Sequence, residues 1–169
     1  QLSRGLGDVY KRQQLGKGSA FEVYFPAVSP QKIKKDNQDL ALEKLTGSIL
    51  FVDDENDVRT SSMRLIEALG HEVISASNGH EGIEAFKKHD IDLVIMDLVM
   101  HPGTGIELFE EIMNLNPNAI IYITSGFHKD EKVQELLAKG AKGFMKKPFT
   151  LATLEKTIQE GLSVKTSGV

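Results

Sequence analysis

Three short runs in this chain are apolar without interruption: residues 49–52 (ILFV), 93–96 (LVIM) and 120–123 (IIYI). A strand with one wet face would alternate, so continuous runs of this length predict strands covered on both faces, as in a parallel sheet. The segments around them change period. Val58, Leu65 and Leu69 share one helical face, as do Ile83 and Phe86, then Ile106, Phe109 and Met113, then Val133 and Leu137, and finally Leu151, Leu154, Ile158 and Leu162. Strand and helix thus alternate five times with short connections, the pattern of stacked βαβ units. The expected fold is a doubly wound α/β domain with helices on both faces of the sheet.

In such a sheet, ligands bind outside the carboxyl ends of the strands, where the strand order reverses. Asp53 and Asp54 follow ILFV, Asp97 follows LVIM, Thr124 follows IIYI, and Lys147 stands just before Pro148. These residues are distant in the chain but would converge on one rim. Like charges about 5 Å apart at an effective dielectric of about 20 repel by roughly 3 kcal/mol per pair, so three carboxylates there invite a cation. Oxygen donors, with no thiolate and no clustered imidazole, favour Mg²⁺ over zinc. A lysine and a hydroxyl nearby would neutralise and hold the oxygens of a transferring phosphoryl group, with Asp97 the most suitable nucleophile.

Composition narrows the picture. At 169 residues there is room for one domain of ordinary size plus an extension. A net charge of −4 argues against a general grip on nucleic acid. The absence of cysteine leaves no disulfide framework and agrees with a reducing, cytoplasmic setting. No apolar run approaches a membrane span, and the first residues lack the plan of a signal peptide, so the chain is expected to be soluble and to make no membrane contact.

VDDEND, MDLVM, ITSG and KKPF, in this order and spacing, resemble the receiver domain of two-component response regulators, over about residues 48–163. The resemblance implies a flavodoxin-like five-stranded parallel sheet with strand order 2-1-3-4-5. It implies that Asp97 is the phosphoacceptor, that Asp54 is a direct Mg²⁺ ligand, and that Asp53 acts on the metal through water. The Val99 main-chain carbonyl would supply a further ligand. Thr124 would be the switch hydroxyl, Lys147 the ion-pairing lysine and Phe144 the rotating aromatic, and the Lys147–Pro148 bond would be cis. The implied partner is a histidine kinase or histidine phosphotransferase domain. One loop departs from the family: four residues after Asp97, where a proline is usual, stands His101, followed by Pro102, although Gly105 keeps the family's glycine position. Altered loop shape without lost chemistry is expected there, with His101 a solvated side chain.

The family docks partners on the face of its fourth helix, fifth strand and fifth helix. In this chain Lys129, Asp130, Glu131, Lys132, Lys139, Lys142 and Lys146 make that region polar with a basic lean, which reads as a solvated surface. After Leu162 only SVKTSGV remains, with residues 164–169 read as a tail, so no attached output domain is expected.

Residues 15–28 contain GKGSAFEVYF, which resembles the last glycine box and final strand of the ATP-binding domain of sensor histidine kinases. The receiver would then come from a hybrid sensor kinase, with residues 29–47 as the linker and no kinase catalytic core in this chain. DVYKRQ, within residues 1–14, resembles a translated sequencing-adapter scar, so that segment is read as non-native or disordered. Two other functions compete with the receiver. An aspartyl-nucleophile phosphatase or phosphotransferase would carry a DxDx[TV] motif, which Leu98 and Val99 after Asp97 do not supply. A receiver-like module that only binds would have no need of Asp54, Asp97, Thr124 and Lys147 together.

Overall fold

The computed structural model describes residues 8–14, 18–24, 45–101, 105–126 and 131–166. Expectations for residues 15–17 and 25–28, for Pro102, Lys129 and Asp130, for the linker up to residue 44 and for the end of the tail lie outside these residues. The chain divides into two units, Gln1–Leu40 and Ala41–Val169.

In the first unit, β1 (Asp8–Gln14) runs antiparallel to β2 (Gly18–Tyr24), with Asp8 opposite Tyr24 and Gln14 opposite Gly18. The expected FEVYF strand thus falls largely within β2. Disorder does not describe residues 8–14, because every residue of β1 has a partner in register across β2.

The second unit alternates β3 (Ser48–Val52), α1 (Asn56–Ala68), β4 (Glu72–Ala76), α2 (Gly79–Lys88), β5 (Leu93–Asp97), α3 (Gly105–Leu115), β6 (Ile121–Ser125), α4 (Glu131–Ala138), β7 (Gly143–Lys146) and α5 (Leu151–Thr166). Its sheet is parallel with order β4-β3-β5-β6-β7, which is 2-1-3-4-5 counted within the unit. Successive residues of β3 face opposite ways. Leu50 and Val52 join the core built with Ile83, Leu108, Phe109, Ile112, Val133 and Leu136, while Ile49 and Phe51 join that of Ile66, Leu154, Ile158 and Leu162. Helices therefore cover both faces, and the continuous apolar runs are explained.

Two helical faces differ from expectation. In α1 the buried positions are Ser62 and Ile66, flanked by the half-buried Leu65 and Leu69. In α5, Leu151 is 47% exposed, because it is the first residue of the helix and the seam begins a turn later at Leu154.

Candidate functional site

The sheet delivers its functional side chains by register. β3 ends at Val52 and hands Asp53 and Asp54 to the rim, while β5 ends on Asp97 itself. Asp97 lies opposite Thr124 of β6, and Ser125 lies opposite Lys146, one residue before Lys147. Carboxylate oxygens of Asp53, Asp54 and Asp97 all lie within 4.8 Å of one another. Asp53, Asp97 and Thr124 are buried, and Asp54 is partly open to solvent.

Lys147 binds this cluster together. Its Nζ lies 2.6 Å from Oδ2 of Asp53 and 2.6 Å from Oδ2 of Asp97. Both contacts are short ion pairs, and Lys147 donates a hydrogen bond to Asp97 Oδ2. Burial raises the Asp97 pKa from its ordinary value, and this outweighs the hydrogen bond and charge of Lys147. For Lys147, burial is the largest single influence and opposes the charged form, but hydrogen bonds and attraction from Asp53 and Asp97 together outweigh it, so its pKa is raised. The Lys147–Pro148 peptide bond is cis, as the resemblance implied.

The connection after β5 is fastened to the same carboxylates. The Val99 N–H donates to Asp97 Oδ1 at 3.2 Å, and the His101 N–H donates to Asp54 Oδ2 at 2.9 Å. Val99 is 59% exposed and the His101 side chain is also exposed. Gly105 opens α3 against this turn: a Cβ there would stand 2.3 Å from the Asp97 main-chain oxygen, which only glycine avoids. The glycine at position 105 therefore has a steric cause.

Thr124 is buried, and its hydroxyl donates to the Met96 carbonyl at 3.4 Å. Phe144 is half-buried and packs against the core that includes Val133 and Leu136. Neither aspartate caps α1: the N-cap is Glu55, whose N–H donates to Asp53 Oδ1 at 3.0 Å.

Two participants escaped the sequence reading. Arg59 donates to the main-chain oxygens of Asp53 at 2.7 Å and Asp54 at 3.3 Å, which braces the acidic turn from behind. Its signal was a cation in the first turn of a helix, where the dipole disfavours one unless it has other partners. The second participant is the His101 N–H, a main-chain group that residue types do not display.

The residues fit a hard divalent cation. Three formal carboxylate charges against one ammonium leave two negative charges, and the donors, which lie within 4.8 Å of one another, are all oxygens.

A doubly wound sheet with an acidic rim, an opposed threonine and a bridging lysine points to the receiver class of protein. The family model described as the response regulator receiver domain matches residues 49–159, and the chain belongs to that family. Receiver domains hold Mg²⁺ at an acidic pocket of this kind. The chain is 31% identical over 167 residues to the sensor kinase CckA of Brucella abortus, an alignment that covers 92% of this chain but only 18% of that kinase. It is 38% identical over 102 residues to the chemotaxis protein CheY of Thermotoga maritima, covering 60% of this chain and 85% of CheY. The crystal structure of the response regulator TrrA of Thermotoga maritima, in complex with Mg²⁺-BeF, matches with a TM-score of 0.63 and 28% identity, over 69% of this chain and 99% of TrrA. No helix among the described residues is long and apolar enough to cross a membrane.

Proposed function

We propose that this chain accepts a phosphoryl group from a phosphohistidine onto Asp97, with Mg²⁺ held by Asp53, Asp54, Asp97 and the Val99 main-chain carbonyl. The observation that carries this reading is the Lys147 ammonium, 2.6 Å from both Asp53 and Asp97 inside a cluster of three carboxylates. The Mg²⁺-BeF complex of the related TrrA supports it.

In the transfer, an Asp97 carboxylate oxygen bonds to phosphorus as the bond from phosphorus to the histidine nitrogen breaks, and that nitrogen keeps the electron pair. Burial of Asp97 removes competing water and strengthens every charge interaction around it. Lys147 then bonds the phosphoryl oxygens in place of one carboxylate oxygen. Mg²⁺, when bound, supplies neutralisation of the same oxygens. Thr124 exchanges its 3.4 Å bond to the Met96 carbonyl for the new acceptor, and Phe144, on the neighbouring strand, follows the space that Thr124 vacates. A cavity of about 630 Å³ beside Lys147, lined by Val58, Ser61, Leu65, Pro148 and Phe149 among others, gives a histidine-bearing kinase or phosphotransferase domain room to approach.

The setting proposed is a cytoplasmic hybrid sensor kinase, in which this chain is the acceptor and performs only its own phosphorylation and dephosphorylation. The alignment with CckA, covering 92% of the chain, extends beyond residues 49–159 into the segment that resembles the end of a kinase domain. On this reading residues 15–28 are the kinase remnant, 29–47 the linker, 48–163 the receiver and 164–169 a tail. Incubation with a small phosphodonor and Mg²⁺, read by intact mass, is expected to give a hydroxylamine-labile phosphate adduct that disappears in Asp97→Asn. No adduct with any donor would sink the proposal.

A further inference from the structure

Asp54 is the most open of the three clustered carboxylates, and a side chain at a wet rim ordinarily samples several rotamers. Its backbone is held: Arg59 donates to its main-chain oxygen at 3.3 Å and to that of Asp53 at 2.7 Å. Among the described residues, the donor to its carboxylate is the His101 N–H, at 2.9 Å to Oδ2 and 47 positions away in the chain. That donor belongs to the main chain, so any residue except proline at this position provides it. The next residue, Pro102, has no N–H to give, so the bond cannot shift one residue along without being lost.

The turn that carries this N–H is itself tied down. The Leu98 N–H donates to the Thr124 carbonyl at 2.9 Å, the Val99 N–H to Asp97 Oδ1 at 3.2 Å, and the Gly105 N–H to the Leu98 carbonyl at 3.1 Å. A donor anchored in this way fixes the carboxylate it touches, and hydrogen bonds from outside the coordination sphere orient metal ligands in just this manner. A carboxylate oxygen has two lone pairs, and the second oxygen is free of this bond, so the contact leaves room for a cation.

We propose that the main-chain N–H of His101 is a positioning group for the cation site, holding the Asp54 carboxylate toward Asp53 and Asp97 and coupling residues 98–101 to ion binding. The inference rests on the reading of the acidic cluster as an Mg²⁺ site. The imidazole plays no part in it; the backbone does.

Two measurements on the full chain test this. The first compares Mg²⁺ affinity, by calorimetry without phosphodonor, in His101→Pro, which lacks the N–H, and His101→Ala, which keeps it. The proline variant is expected to bind Mg²⁺ about tenfold more weakly than the alanine variant. Equal affinities overturn the proposal. The second needs no substitution at His101, and so survives if the proline variant does not fold. Hydrogen exchange of the His101 amide, followed by NMR without Mg²⁺, is expected to be about tenfold faster in Asp54→Ala than in the unsubstituted chain. Unchanged exchange overturns the proposal. Absence of Mg²⁺ binding in every chain, the unsubstituted one included, would sink the cation-site reading and this proposal together, whereas equal affinity of the two His101 variants sinks this proposal alone.

Discussion

Lys147 answers two carboxylates with one charge, and a third carboxylate stands within 4.8 Å. Without a cation the cluster is therefore repulsive, and the fold holds it together at a cost in stability. Asp54 is the member whose removal should relieve the most strain for the least disruption, since it is partly exposed and outside the Lys147 ion pairs. Asp54→Asn keeps an oxygen to accept the His101 N–H and removes one negative charge. In Mg²⁺-free buffer it is expected to raise unfolding free energy by about 1 kcal/mol, a repulsion discounted for solvent screening. The unsubstituted chain should gain about 2.7 kcal/mol from Mg²⁺ at a hundred times its Kd, and Asp54→Asn should gain far less at that concentration. Urea unfolding with and without Mg²⁺ measures both, and a destabilised Asp54→Asn in Mg²⁺-free buffer would contradict the account. At this scale the sequence displayed the acids, the threonine and the lysine. It did not display the His101 N–H, because hydrogen bonds from the backbone depend on conformation and leave no mark on residue type.

Among the elements, α2 shows a start signal that is fully local. Asn78 is the N-cap and accepts from the Glu81 N–H at 2.9 Å, while Glu81 Oε2 accepts from the Ser77 N–H at 2.8 Å and the Ser77 hydroxyl at 2.7 Å. This reciprocal pairing is a capping box set one residue back from its usual place. The backbone and hydroxyl bonds from Ser77 hold the Glu81 pKa below its ordinary value. A carboxylate with a depressed folded-state pKa contributes stability above its unfolded pKa and loses it as pH falls through the folded value. The chain should therefore lose more thermal stability between about pH 6 and about pH 3 than Glu81→Gln does. Parallel losses would show that this box contributes nothing. By contrast α1 begins without a side-chain cap, and its opening turn is instead held by Arg59 and Asp53. The expected apolar seam of α1 through Val58, Leu65 and Leu69 missed Ile66, which is fully buried. Only the angle at which the helix lies on the sheet decides which of two adjacent leucine and isoleucine positions points inward.

For the molecule as a whole, both apolar cores, among the described residues, are built from residues between Leu45 and Leu162, and the chain divides between Leu40 and Ala41. A chain that starts at Ala41 is expected to keep the thermal midpoint of the receiver transition and to take up phosphate from a small donor at the same rate. A clear loss of either would mean that residues 1–40 support the site. The buried strands also explain why the fold was so legible. β3 and β5 place every residue from Ile49 to Val52 and from Leu93 to Asp97 in the interior, and a strand covered on both faces can be written only in apolar residues until it reaches the rim. The first polar residues after each run are then, of necessity, at the carboxyl edge where a ligand binds.

That necessity marks what the sequence determined by itself: five strand and helix pairs, the carboxyl edge, and the acidic, hydroxyl and cationic side chains gathered there. Tertiary structure decided what those groups touch. Register set Asp97 opposite Thr124, one ammonium was shared between Asp53 and Asp97, Arg59 turned back onto two carbonyls, and a turn closed by Gly105 brought the His101 N–H to Asp54. Patterning records only which side of an element is wet. Contacts between groups 47 positions apart depend on how the elements pack, and that information exists only once the sheet is assembled.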